Sequence, residues 1–172
     1  IIQESLAAIL PDAAVEKALR GHTFGTGRIV LVAVGKAAWQ MARAASDELD
    51  SRIDRGIVIT KYGHIKGNIP NISCREAGHP VPDANSFAAT QEALDLTADL
   101  AAEDTVLFLL SGGGSALFEK PLIPPAELTD LTEQLLASGA DIVAVNTLRK
   151  RMSAVKGGRF AEHCAPAQVF TI

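Results

Sequence analysis

The stretch Val106-Leu107-Phe108-Leu109-Leu110-Ser111-Gly112-Gly113-Gly114-Ser115-Ala116-Leu117 decides the fold. Its first five residues are apolar and run directly into turn residues, which is typical of a fully buried strand. Three consecutive glycines lose much conformational entropy on folding, so their presence at a strand end needs a reason. We favour an anion, most often a phosphate, held by backbone N–H groups at the start of a following helix. The alternative is a flexible turn that needs glycine only for positive φ.

Strands and helices alternate along the rest of the chain. Apolar runs predict further strands at 28–34, 57–60, 72–77 and 168–172. Helical patterns and caps predict three helices in the first part of the chain, at 4–20 (or only from Asp12), at 37–49, and from Asp83 to about residue 102. Three more follow: one contains Leu128, Leu131 and Leu135 and ends at Ser138, one runs from Asp141 to Met152, and one contains Phe160 and Cys164. This alternation predicts an α/β fold in which a parallel sheet is covered by helices on both faces, a three-layer αβα arrangement.

Composition excludes several classes of protein. The chain has 172 residues, 48% of them hydrophobic, which is enough for one well-buried domain. The net charge of −4 argues against a general nucleic-acid binder, because phosphate contacts need a basic face. The basic residues are unevenly placed, however, since the segment 149–159 carries five cations and no acid.

Targeting signals and cysteine pairs are also informative. We find neither a signal peptide nor an apolar run long enough to span a membrane, so we expect a cytoplasmic protein without membrane partners. Cys74 and Cys164 lie far apart and form no metal-binding pattern, so we expect reduced, buried thiols. The first residue is not Met and the final strand is cut off at Ile172, so we expect a fragment of a longer protein.

Polar or glycine-rich loops follow four of the predicted strands, and such loops bind ligands at the carboxyl edge of a parallel sheet. They are Gly35-Lys36, Lys61-Tyr62-Gly63-His64, Gly78-His79 and Ser111 to Ser115. Neither a phosphate-binding P-loop nor a G-x-G-x-x-G dinucleotide fingerprint is present after the first strand. The sequence therefore gives little support to the hypothesis of a hydride-transferring enzyme.

Each candidate side chain also has a structural interpretation. Lys36 lies between a strand and the start of a helix, where its long side chain can reach a bound anion. The equally supported structural interpretation is a lysine that contacts only solvent. His64 and His79 follow glycines in loops, where they are accessible for proton transfer or for binding a carboxylate, although such histidines are more often structural. The basic segment 149–159, interrupted by Gly157-Gly158, indicates a phosphate or carboxylate clamp or else a solvated face.

Five motifs in order along the chain resemble the glycerate 2-kinase family, whose MOFRL-type members also carry the label hydroxypyruvate reductase. The motifs are Val34-Gly35-Lys36-Ala37-Ala38, Thr60-Lys61-Tyr62-Gly63-His64, Glu76-Ala77-Gly78-His79-Pro80-Val81-Pro82-Asp83, Leu110-Ser111-Gly112-Gly113-Gly114-Ser115-Ala116-Leu117, and Asn146-Thr147-Leu148-Arg149-Lys150 through Ser153-Ala154-Val155-Lys156-Gly157-Gly158-Arg159. The resemblance implies that residues 1–172 form most of an N-terminal Rossmann-like domain, incomplete at its C-terminal end, without the C-terminal MOFRL-type domain.

The resemblance also implies an activity, which is ATP-dependent phosphorylation of the 2-hydroxyl of D-glycerate with a divalent metal such as Mg²⁺. Lys36 then stands at the family's active-site lysine, and Ser111, Gly112, Gly113, Gly114 and Ser115 stand at its glycine-rich loop. His64, His79, Asn146, Arg149 and Lys156 are further candidates for binding substrate or phosphate. We expect the metal ligands to lie beyond Ile172 and the chain alone to be inactive.

The sequence is compatible with three functions. They are the glycerate 2-kinase, an NAD(P)H-dependent hydroxypyruvate reductase and a non-catalytic sugar-phosphate-binding module. No general base is identified, the exact acceptor stays open, and a homodimer is left open as well.

Overall fold

Strands and helices alternate in a computed structural model that describes residues 10–139 and 141–172. The strands are β1 (Ile29–Val34), β2 (Ile53–Lys61), β3 (Ile72–Ala77), β4 (Thr105–Leu110) and β5 (Gln168–Thr171). The helices are α1 (Pro11–Arg20), α2 (Ala38–Leu49), α3 (Ala84–Leu96), α4 (Gly114–Leu117), α5 (Pro125–Ala137), α6 (Ile142–Arg151) and α7 (Arg159–His163), with a 3₁₀ turn at Asp50–Arg52. The part of the first predicted helix before residue 10 lies outside the described residues.

The five strands form one parallel sheet in the order β3-β2-β1-β4-β5. The predicted α/β fold with a parallel sheet is thereby confirmed. All six residues of β1 are buried, because this strand lies in the centre of the sheet with helices on both of its faces.

Alternate residues of the sheet face two separate hydrophobic clusters. Leu31 and Ala33 of β1 pack towards α1 and α2, together with Val15 and Met41. The residues between them face the other way, towards α3 and α7 and a group of three phenylalanines, Phe108, Phe118 and Phe160. Burial of such side chains contributes about 1.5–3 kcal/mol each, so the two clusters hold the three layers together.

The predicted end of α3 is wrong by about six residues. The helix begins as expected, with a capping box between Asp83 and Ser86, but it ends at Leu96 rather than near residue 102. Thr97 Oγ1 donates to the carbonyl of Ala93 at 2.8 Å, and the guanidinium of Arg55 donates to the carbonyl of Leu96 at 3.0 Å. These two donors satisfy carbonyls in the last turn of the helix. The carbonyls therefore need no N–H groups from a further helical turn.

A buried carboxylate joins the starts of β1 and β4. Asp104 accepts hydrogen bonds from the backbone N–H groups of Arg28 and Ala101, at 2.8 and 2.9 Å. The Arg28 guanidinium adds contacts of 2.6 and 3.1 Å to the second carboxylate oxygen. Hydrogen bonds from Arg28 are the main reason that the pKa of Asp104 is lowered to about 2.

Three smaller expectations can be compared with the structure. β2 begins at Ile53, four residues earlier than predicted, because Ile53 already pairs with Ile29. Both thiols are free, and Cys164 is buried as expected, whereas Cys74 is only half-buried. None of the helices in the described part of the chain is long and apolar enough to cross a membrane.

Candidate functional site

The carboxyl ends of β1 and β4 lie side by side at the centre of the sheet, with Val34 paired to Leu110. From β1 the chain continues to β2 and β3 on one side, whereas β4 and β5 lie on the other. In open α/β sheets, the crevice at such a change of direction is where ligands bind. The loops that follow these two strands therefore define the candidate site.

Backbone hydrogen bonds join these two loops directly. Ser111 N–H donates to the carbonyl of Val34, and Lys36 N–H donates to the carbonyl of Gly112, both at 2.9 Å. Ser111 Oγ accepts from the N–H of Ala37 at 3.0 Å. Gly35 has φ +124°, and a Cβ added there would lie 2.2 Å from Ser111 Oγ. The loops can approach this closely only because position 35 is glycine.

Gly113 brings two of the predicted side chains together. This residue has φ +89°, and a Cβ added there would lie 2.9 Å from Nε2 of His79 and 3.3 Å from Cε of Lys36. Lys36 and His79 thus flank the same bare stretch of backbone, as the strand-end argument predicts. Gly112, in contrast, has no atom within 4 Å of an added Cβ. The following helix, α4, has only four residues, so it is a single turn.

A hydrogen-bond network fixes the loop that carries His79. Asp83 Oδ1 accepts from the N–H groups of Gly78 and Ser86, at 3.1 and 2.9 Å, and Asp83 Oδ2 accepts from the Tyr62 hydroxyl at 2.6 Å. Burial alone would raise the pKa of Asp83, but these hydrogen bonds together hold it below its usual value. Asp83 is therefore a carboxylate that ties the ends of β2 and β3 to helix α3.

His79 lies in an electropositive environment. Burial lowers its pKa most, and the charges of Lys36 and Lys61 lower it further. The neutral imidazole is therefore favoured near pH 7, and a neutral imidazole can accept a proton.

His64 contacts Lys36 from the other side. His64 Nδ1 lies 2.9 Å from the carbonyl oxygen of Lys36. The backbone of the same loop is held by Glu76, whose Oε1 accepts from the N–H groups of His64 and Ile65, at 3.1 and 3.3 Å. The structure thus brings Lys36, His64, His79 and Gly113 together at the carboxyl edge of the sheet.

Three of the five cations in the basic segment 149–159, Arg149, Lys156 and Arg159, donate hydrogen bonds to backbone carbonyls of the protein itself. Arg149 Nη2 donates to the carbonyl of Ser115 at 3.0 Å. Lys156 Nζ donates to the carbonyl of Phe118 at 2.8 Å and forms a salt bridge of 2.8 Å with Glu119 Oε2. Two of the predicted ligand-binding cations therefore hold one carbonyl within α4, that of Ser115, and one directly after α4, that of Phe118.

Glu119 is a functional candidate that the sequence reasoning missed. Its side chain is only 1% exposed, against 13% for Lys156, and its Oε1 has no hydrogen-bond partner among the described residues. Burial lowers the pKa of Lys156, whereas the charge of Glu119 raises it. The only signal in the sequence is an acid two residues after α4, which does not indicate its partner.

Ser115 and Asn146 line a cavity of about 440 Å³ on the β4 side of the site. Its apolar part is formed by three phenylalanines with Leu110 and Val155, and the rest of its lining includes Lys150, Lys156 and the glycine pair 157–158. Ser115 of the glycine loop and Asn146 thus line a cavity whose lining does not include Lys36, His64 or His79.

A metal site is not evident from the donor residues. In residues 10–139 and 141–172, no group of three or more His, Cys, Asp or Glu side chains could hold a metal ion. The Mg²⁺ implied by the sequence resemblance therefore has no complete set of protein ligands in this part of the chain.

Fold and loops together define a Rossmann-like α/β domain whose switch point combines a lysine, two histidines and a glycine of positive φ. The chain belongs to the family described as a domain of unknown function, DUF4147, whose model matches residues 1–172.

Two curated relatives and one solved structure are similar to this chain. A D-glycerate 2-kinase from Thermotoga maritima is 51% identical over 174 residues, covering all of this chain and 41% of the relative. A crystal structure of glycerate kinase from Thermotoga maritima matches 99% of this chain and 41% of its own, with a TM-score of 0.93 and 50% identity. A relative from Agrobacterium vitis, 42% identical over 85% of this chain and 38% of its own length, has hydroxypyruvate reductase in its name.

These similarities confirm the resemblance to glycerate 2-kinases. The chain spans about two fifths of the length of the curated relatives it matches. The roles of the individual site residues stay predictions.

Proposed function

We propose that this chain supplies part of the active site of an ATP-dependent D-glycerate 2-kinase, which produces 2-phosphoglycerate and ADP. One observation supports this proposal above the others. Lys36 and His79 meet at Gly113, a residue with positive φ whose missing side chain leaves room beside a cation. The kinases among the similar proteins support the same activity.

Phosphoryl transfer needs little covalent chemistry from the protein and much positioning and positive charge. In this proposal, the backbone of residues 111–115 binds a phosphate group of the nucleotide. Lys36 lies beside that backbone and stabilises negative charge on the transferred phosphoryl group. The residues present fit a nucleotide phosphate, because a Cβ at Gly113 would occupy the space between the loop and its two neighbours.

The intact enzyme uses Mg²⁺ in this proposal, and the metal offsets charge on the phosphates when it is bound. In this proposal its protein ligands lie beyond Ile172, and the phosphates of the nucleotide supply further ligands. We also propose that residues 1–172 form most of an N-terminal domain and that a MOFRL-type domain closes the site in the intact protein. A cytoplasmic location and a homodimeric state belong to the same proposal.

The substitution Lys36→Ala tests the central role of the lysine. In the intact protein we expect kcat for D-glycerate phosphorylation to fall by a factor of 100 or more, the order of magnitude that removal of one electrostatic contact costs. Turnover is measured as ADP release with Mg-ATP and D-glycerate. Near-normal turnover would contradict the assignment of Lys36.

The carbon that is phosphorylated can be read from the product. Enolase dehydrates 2-phosphoglycerate directly to phosphoenolpyruvate, whereas 3-phosphoglycerate first needs a mutase. We therefore expect ultraviolet absorbance to rise with enolase alone. A rise that requires added mutase would change the proposed position to the 3-hydroxyl.

Hydroxypyruvate reduction is the second candidate, because the Agrobacterium relative carries that name. It predicts loss of NADH absorbance when hydroxypyruvate is added. β2 ends at Lys61, whereas dinucleotide sites place an acid near this point to bind the ribose. We therefore expect no NADH oxidation. A third outcome, phosphate-ester binding by the intact protein without turnover of either substrate, would favour the non-catalytic module.

A further inference from the structure

A second cavity, of about 330 Å³, lies next to Lys36 on the β2 side of the site. Its lining includes Lys36, Trp39, Gln40, His64 and Lys66. None of the described residues that line it is acidic, and both lysines are exposed. A small cavity with two cations and an imidazole suits a small organic anion.

Hydrogen bonds fix the walls of this cavity. Trp39 Nε1 donates to the carbonyl of Gly67 at 2.9 Å, which ties the loop after β2 to helix α2. Glu76 holds the backbone of His64 and Ile65 from the neighbouring strand β3. The backbone of His64 is therefore held by Glu76, and its imidazole by the carbonyl of Lys36, before any ligand is present.

The contact between His64 and Lys36 sets the tautomer of the imidazole. A carbonyl oxygen can only accept a hydrogen bond, so Nδ1, at 2.9 Å from the oxygen of Lys36, carries the proton. In the neutral ring, Nε2 then has a free lone pair. An accepting nitrogen thus belongs to a residue that lines the same cavity as the proposed catalytic lysine.

The geometry points to His64 as the general base and to this cavity as the acceptor site, with Lys66 binding the carboxylate of a small 2-hydroxy acid. The inference rests on the kinase activity proposed above and names the place where the acceptor binds. The cavity on the β4 side is less suitable for such an acceptor, because three phenylalanines lie in its lining and its Lys156 is already paired with Glu119.

The reaction step balances with a nucleoside triphosphate as co-reactant. The hydroxyl oxygen of the acceptor attacks the γ-phosphorus, and a new P–O bond forms. The bond between the γ-phosphorus and the bridging oxygen breaks, and its electron pair remains on the diphosphate that leaves. The hydroxyl proton passes to Nε2 of His64, which becomes an imidazolium beside the carbonyl of Lys36.

The substitution His64→Asn tests the base, because the Asn amide can still donate to the carbonyl of Lys36 but cannot take a proton. In the intact protein we expect kcat for D-glycerate phosphorylation to fall by about 100- to 10,000-fold. The KM for ATP should change little. Added imidazole should restore part of the activity, because it can enter the vacated cavity, and a merely structural role of His64 would not allow such rescue.

The pH profile gives an independent readout. The wild-type kcat should fall towards acid pH, because a protonated general base cannot accept the hydroxyl proton, and the residual activity of His64→Asn should lack this acid limb. The charged groups around His64 are Lys36 and Lys66 in the cavity and Glu76 from β3.

Lys66→Gln tests the carboxylate contact. We expect the KM for D-glycerate to rise about tenfold or more, with little change in kcat or in the KM for ATP. Lys17→Gln is the matched control, because Lys17 is an exposed lysine of α1 that does not line the cavity. Its kinetic constants should match the wild type.

The outcomes separate this inference from the proposed function. No ADP release by the wild type with D-glycerate would refute the kinase itself. An active wild type with a His64→Asn variant of unchanged kcat and unchanged acid limb would overturn only the role of His64. Loss of the acid limb in His79→Asn instead would assign the base to His79. If the His64→Asn variant does not fold, an NMR spectrum of the wild type tests the inference instead. D-glycerate should shift the Nε2 resonance of His64, and an unchanged resonance would overturn the role of His64.

Discussion

Replacing Asp104 by Asn should remove a defined part of the folding free energy. The structure lowers the pKa of Asp104 from 3.8 to about 2, mainly through hydrogen bonds from Arg28. One pKa unit corresponds to about 1.4 kcal/mol, so the ionised carboxylate contributes about 2 to 3 kcal/mol at neutral pH. The side chain is 5% exposed, and therefore solvent screens this contribution little.

The sign of the pH dependence follows from the lowered pKa. The stabilisation is complete above the unfolded-state pKa near 4, and it is lost as the pH falls towards about 2. The free energy of unfolding of wild type and Asp104→Asn should therefore differ by about 2 kcal/mol at pH 7 and converge near pH 2. Urea unfolding followed by fluorescence of Trp39, the single tryptophan, measures both values.

The matched control is Asp99→Asn. Asp99 also contacts Arg28, but its side chain is 66% exposed, so we expect a much smaller change. An Asp104→Asn protein as stable as the wild type at pH 7 would refute the assignment of this energy to the buried carboxylate. A difference that persists unchanged at pH 2 would attribute it to packing instead of charge.

Three further predictions concern the site. Gly113→Ala should lower the free energy of unfolding by about 1–2 kcal/mol because φ is +89°, and more than Gly112→Ala, whose Cβ meets no atom within 4 Å; equal losses in urea unfolding would contradict this. Glu119→Gln removes the counter-charge of the buried Lys156 and should lower the free energy of unfolding by about 3 kcal/mol. A wild-type urea midpoint would argue against the ion pair. Burial and the charges of Lys36 and Lys61 lower the pKa of His79, so Lys36→Met should raise this pKa in an NMR titration. An unchanged pKa would contradict the proposed proximity of Lys36 and His79.

Much of the fold could be predicted because buried parallel strands are continuous apolar runs. The β3 prediction matches its observed bounds, and β1 and β4 differ by a single residue at one end. Errors occur where distant residues decide a boundary. The end of α3 depends on Arg55, about 40 residues earlier in the chain, and the start of β2 depends on its register against Ile29. No local pattern contains this information.

Part of the site could be predicted in the same way. The approach of Lys36 and His79 to Gly113 follows from parallel topology, since strand ends of one sheet share an edge. The contacts of Arg149 and Lys156 with carbonyls near α4 could not be predicted, because they depend on the pairing of the chain after α4 with the chain after α6. The tautomer of His64 likewise requires the position of a carbonyl 28 residues away.

The hydrogen bonds between the β1 and β4 loops have a consequence for how the protein acquires its site during synthesis. Val34 and Ser111 are separated by more than 70 residues, so a nascent chain that has completed β1, β2 and β3 still lacks half of the loop pair. The site can form only after β4 has inserted beside β1, which is a contact between distant parts of the chain. A ligand that contacts both loops binds only the chain in which β4 is paired with β1. Such a ligand would therefore stabilise the folded domain relative to chains that lack this pairing.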